Sequence, residues 1–138
     1  MSRLIRFGVS LDSELLKKFD SLIRKAKYTN RSEAIRDLIR ENLVKEEWNA
    51  GGEVAGAVTI VYDHHQRELV GRLMDIQHDY GEIIISAQHV HLDHHNCLEV
   101  IIVKGETEMV KNLFECLRSC RGVKHGAFSM TTTGERVI

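Results

Sequence analysis

No apolar run in this chain approaches the ~20 residues that a membrane-crossing helix needs. The N-terminal segment also lacks the apolar core of a signal peptide, because Arg3 and Arg6 interrupt it. Nothing here is expected to span a membrane, and the expected setting is the cytoplasm. Cysteine is scarce: three residues at scattered positions, an odd number. That excludes a disulfide framework and fits reduced thiols. Two of the three, Cys116 and Cys120, are spaced i,i+4 on an expected helix and read as packing residues. Net charge is nearly absent at −1, but the balance is uneven along the chain. Residues 1–48 carry 11 Lys/Arg against 8 Asp/Glu, and the remainder carries 8 against 12. A small basic unit on an acidic body points weakly to nucleic acid.

What is present is enough apolar material, 43% of 138 residues, for one ordinary domain or two small ones. Residues 4–10 alternate, with Ile5, Phe7, Val9 and Leu11 on one side and Arg6, Gly8 and Ser10 on the other. This predicts a short strand. Asp12 caps a helix carrying Leu15, Leu16, Phe19, Leu22, Ile23 and Ala26. Thr29-Asn30 ends it, and Asn30 with Glu33 forms a capping box for a second helix. Strand, helix, helix in fewer than 50 residues is too small to bury its own apolar faces. Two copies pairing their strands would solve this, so dimerisation is expected. Trp48 to Glu53, with its Gly pair, reads as a linker and places a boundary between domains at 1–48 and 54–138.

The second half reads as strand (Val54 to Tyr62), helix (Gln66 to Tyr80), strand (Ile83 to Leu92), strand (Leu98 to Val103), helix (Glu106 to Cys120) and strand (Val123 to Thr132). This βαββαβ order is the ferredoxin-like plan, which hosts many functions. The expected fold class is α+β.

The chemistry concentrates at His89-Val90-His91-Leu92-Asp93-His94-His95-Asn96-Cys97. On a strand, His89 and His91 point the same way. Asp93 and Asn96 form a turn, and Cys97 opens the next strand beside the two imidazoles. Two nitrogens and a sulfur on a β scaffold suit zinc, copper or nickel, whereas calcium and magnesium prefer oxygen. His94 and His95 read as solvated turn residues.

Residues Ile5 to Leu11 and Asn30 to Asp37 resemble those of a ribbon-helix-helix DNA-binding domain. In that fold a two-stranded ribbon enters the major groove. Arg6, Gly8 and Ser10 would then meet base edges, with Arg6 suited to guanine. With the second half added, the chain resembles the NikR family of nickel-responsive regulators over residues 3–138. The stretches that carry this are Tyr62 to Leu69, Gln77-His78, His89-Val90-His91, Asn96-Cys97-Leu98-Glu99 and Arg121 to Gly126.

The resemblance implies a square-planar nickel site, one Ni(2+) per chain, held by His89, His91 and Cys97 of one chain and His78 of the partner subunit. It implies that Gln77 and Glu99 orient the imidazoles, and that Arg67 touches the DNA backbone beside a neutral Gln66. It further implies a homotetramer built as a dimer of dimers, operator DNA as partner, and repression of nickel uptake. Glu33 and Asp37 match positions that would hold a second cation. Gly8 departs from the hydroxyl residue common at its position. The same architecture could sense copper or zinc. A metalloenzyme would need an open coordination position with His94, His95 or Glu99 as acid or base. Four protein ligands close a flat site in its plane, so no enzyme is expected.

Overall fold

The computed structural model describes residues 2–138, which form two compact units that divide between Arg40 and Glu41. The division falls inside a continuous helix. The elements are α1 (Ser13–Lys25), α2 (Arg31–Ala50), β1 (Glu53–Tyr62), α3 (Arg67–Asp79), β2 (Ile84–His91), β3 (Cys97–Glu106), α4 (Thr107–Arg118) and β4 (Val123–Thr131).

In the first unit, Asp12 caps α1 by accepting the Glu14 N–H at 2.8 Å. Lys27 ends it in a left-handed conformation, φ +63°. The Lys27 and Tyr28 N–H groups bond back to the Arg24 and Ile23 carbonyls, each at 3.1 Å, which satisfies two helix-end acceptors. α2 starts with half of the expected capping box. Asn30 Oδ1 accepts the Glu33 N–H at 3.0 Å, but the Glu33 carboxylate turns to Arg36. The expected strand over 4–10 is not formed: residues 2–12 have no regular structure and lie exposed. The reason is physical. A ribbon strand needs a second strand for its N–H and C=O groups, and one chain offers none. Leu4, Ile5, Phe7 and Val9 remain 59–91% exposed.

Among the described residues of this unit only Ile23 and Ala34 are buried hydrophobics. A buried aliphatic side chain contributes roughly 1.5–3 kcal/mol, and ordering each backbone residue costs roughly 1–2 kcal/mol. Two such residues cannot hold 40 in place. The apolar side chains left exposed line a groove of about 1330 Å³, among them Ile5, Phe7, Val9, Leu15, Ile35 and Ile39.

The second unit supplies its own core. Its sheet has the order β2-β3-β1-β4 with every neighbouring pair antiparallel, the ferredoxin-like arrangement. Along β1 every second residue is buried, from Val54 to Tyr62. These residues join Ile101 and Val103 of β3, Leu69 and Leu73 of α3, and Val110, Leu113 and Leu117 of α4 in one cluster. Trp48 belongs to it too, which corrects the reading of residues 48–53 as linker. Trp48 is 4% exposed, donates its indole N–H to the Thr131 carbonyl at 2.9 Å and meets Phe128 edge-on. The break comes only at Gly51 and Gly52, both with positive φ. β2 is one of the two edge strands, exposed beyond its first residue.

Candidate metal centre

The register of β2 on β3 builds the centre. His91 pairs with Cys97 and His89 pairs with Glu99. Directly paired residues share a face, so His89, His91, Cys97 and Glu99 all project to the side that carries the core. Cys97 and Glu99 are each 1% exposed, while the His89 side chain, on the edge strand, is 54% exposed. The thiol is therefore buried beside imidazoles that reach solvent.

Glu99 is a buried carboxylate with its partners in place. His89 Nε2 lies 3.3 Å from Oε1, and the Gln77 amide donates to both oxygens at 3.1 and 3.2 Å. The Tyr62 hydroxyl lies 3.4 Å from His89 Nδ1. Burial, reinforced by the negative charge available at Glu99 and Cys97, pushes the Tyr62 phenol well above its ordinary range. Glu99 thus meets the His89 ring, and Gln77 meets the Glu99 carboxylate. Sequence reasoning missed Tyr62. The signal for it is its pairing opposite Cys97 at the end of β1, which only the sheet register reveals.

His78 stands exposed in the last turn of α3. It lines, together with Gln77, Tyr62, His89 and Glu99, a cavity of about 430 Å³. His91 and Cys97 do not line this cavity. The His91 ring instead lies parallel to His64, centroids 4.4 Å apart. His64 Nδ1 is buried without a hydrogen-bond partner. Burial, with His65 and His91 nearby, holds its pKa below the ordinary imidazole value. The structure so brings His89, His91 and Cys97 to one face, with the imidazole rings engaged by Glu99 and His64.

The residues expected at DNA lie elsewhere. Arg6, Gly8 and Ser10 sit exposed in the irregular N-terminal segment. Arg67 opens α3, and with Gln66, Arg72 and Arg121 it lines a second groove, of about 620 Å³. Glu33 and Asp37 are engaged by donors within their own unit. Glu33 pairs with Arg36, and Asp37 accepts from Tyr28 Oη at 2.6 Å and from Arg40 at 3.0 Å. Cys116 is exposed and Cys120 half-buried, so Cys116 is not the packing residue expected. It falls on the outer face of α4, with Tyr80 Oη 3.9 Å from its sulfur.

Comparison with known families bears directly on this arrangement. The family model described as "NikR C terminal nickel binding domain" matches residues 55–131, and "Ribbon-helix-helix protein, copG family" matches residues 5–46. The chain belongs to the NikR family. Its relatives include proteins named "Putative nickel-responsive regulator" from Syntrophus aciditrophicus (54% identical), Desulfovibrio desulfuricans (57%) and Pyrococcus furiosus (54%). Each alignment covers 98% of this chain and 98–99% of the relative. These NikR domains and relatives are those of a regulator, not of an enzyme. An uncharacterized protein from Thermotoga maritima shares the fold over 59% of the chain, with a TM-score of 0.54 at 13% identity. No helix among the described residues is long and apolar enough to cross a membrane.

Proposed function

We propose that this NikR-family protein is a cytoplasmic regulator that binds Ni(II) and operator DNA and represses nickel uptake. Nickel is held, one ion per chain, by His89, His91 and Cys97 together with His78 of the partner subunit. The observation that supports this is the buried thiol of Cys97 paired across the ladder from His91, with His89 two residues along the same face. Imidazole and thiolate donors of this kind suit nickel and poorly suit hard cations. Bound nickel supplies a cross-link between strands and between chains. Glu99, fixed by Gln77, sets the ring angle of His89. The exposed edge strand β2 and the exposed His78 are then the surfaces through which two ribbon dimers join as a tetramer. Arg6 and Ser10 read base edges from the paired ribbon, Gly8 lets the backbone approach closely, and Arg67 meets the DNA backbone.

The test is spectroscopic. Nickel-loaded protein is expected to show a sulfur-to-nickel charge-transfer band, and Cys97→Ala is expected to abolish it. Survival of the band in Cys97→Ala, with loss in Cys116→Ala or Cys120→Ala, would overturn the site. Nickel is also expected to raise affinity for DNA upstream of the protein's own gene. A rise with copper or zinc instead would reassign the sensed metal within the same architecture.

A further inference from the structure

Two tripeptides of identical sequence meet at one end of the sheet: Asp63-His64-His65 after β1, and Asp93-His94-His95 between β2 and β3. Tyr62 pairs with Cys97, so the segments leaving these two residues emerge side by side. In both, Asp Oδ1 accepts the backbone N–H of the second histidine, at 2.9 and 2.8 Å. This turn leaves His65 and His95 exposed. The rings of His65, His94 and His95 lie in mutual contact, with centroids 4.9–5.8 Å apart.

The two aspartates differ in what they still offer. Both oxygens of Asp93 are engaged: the Asn96 amide bonds each of them, and two backbone N–H groups share Oδ1. Both hydrogen bonds to Asp63 end on Oδ1, from the His65 backbone and the His65 ring, so Oδ2 remains to accept a cation. A carboxylate oxygen of Asp63 and one ring nitrogen each from His65 and His95 lie within 4.8 Å of one another. A single ion with bonds of about 2.0–2.2 Å can reach all three after small rotations of exposed rings.

We propose that Asp63, His65 and His95 form a second metal site, exposed to solvent and separate from the His89–His91–Cys97 group, for a divalent transition metal such as zinc or nickel. Two imidazoles and one carboxylate suit such ions, and water completes the coordination. The ion would take the place of the proton now shared between the Asp63 carboxylate and the His65 ring. With no sulfur and two exposed imidazoles, this site is weaker and exchanges faster than one built on a buried thiolate.

The experiment is zinc titration of the full chain by calorimetry, before and after loading with one nickel per chain. Nickel-loaded protein is expected to take up about one further zinc per chain. His65→Ala and His95→Ala are each expected to weaken that step about tenfold or more, while the charge-transfer band of the loaded nickel stays unchanged. Asp63→Asn should act in the same direction. Zinc binding should shift the ring-nitrogen NMR signals of His65 and His95. The same zinc step is expected in Cys97→Ala and His89→Ala proteins, so it stands or falls apart from the proposed nickel site. Unchanged zinc uptake in the His65→Ala/His95→Ala double variant would overturn the proposal. So would loss of the nickel band in that variant, which would merge these histidines with the first site.

Discussion

At the scale of single residues, the first unit depends on polar contacts because it buries so little. Asp37 accepts a hydrogen bond from Tyr28 Oη and another from Arg40, and these hold its carboxyl below the usual range. Asp20 is held down in the same way, first by its hydrogen bonds with Arg31. A depressed folded pKa means that the unfolded chain binds more protons in acid. The stability from these groups is therefore complete above about pH 4, the ordinary aspartate range, and is lost as pH falls through the folded values. Tyr28→Phe is expected to move the Asp37 pKa back up. Urea unfolding followed by helix circular dichroism should find the variant weaker than the parent at neutral pH, with the gap closing in acid. A gap that stayed constant down to about pH 3 would assign the effect to packing rather than to Asp37.

The scale of elements shows how closely strand and loop approach in the second unit. A Cβ on Gly105 would fall 2.4 Å from Ile83 Cγ2 and 3.0 Å from its Cβ. Ile83 is buried, and its carbonyl accepts the Lys104 N–H at 2.8 Å, next to Gly105. It cannot withdraw without breaking the entry to β2. Gly105→Ala is expected to cost about 1–3 kcal/mol, the range for overpacking a filled core. Because β2 carries His89 and His91, nickel affinity should fall as well. Denaturant unfolding combined with nickel titration checks both; a stable variant with weakened nickel binding alone would show that β2 shifts without strain. Gly81 and Gly71, by contrast, meet at most ordinary or mildly tight neighbours.

For the whole molecule, the claim is coupling between nickel and DNA. If nickel tightens operator binding by some factor, operator must tighten nickel binding by the same factor, and such factors usually run from about 5 to 150. Nickel affinity measured against a chelator, with and without operator at fixed salt, gives one side of the cycle, and DNA titration gives the other. Two factors that agree support a linked regulator; no effect in either direction would sink it. The basic excess of residues 1–48 is small. Binding to random DNA should therefore be weak and fade quickly with salt, which separates the specific term cleanly.

Local chemistry was legible in the sequence. The helices, the four strands of the second unit, the Asp12 and Asn30 caps and the shared face of His89, His91 and Cys97 all follow from periodicity and turn formers, which act over a few neighbouring residues. The linker was misjudged because Trp48 is fixed by a carbonyl and a ring more than 75 residues away, at Thr131 and Phe128, and no local pattern carries that. The N-terminal strand was readable as an alternation, but a strand forms only against another strand, and the first unit offers it none. Tertiary structure alone decided which loops meet. Setting Tyr62 opposite Cys97 placed Tyr62 beside His89 and brought the two Asp-His-His turns together. Residue types determined which metals these side chains could hold; strand register determined which side chains stand close enough to hold one.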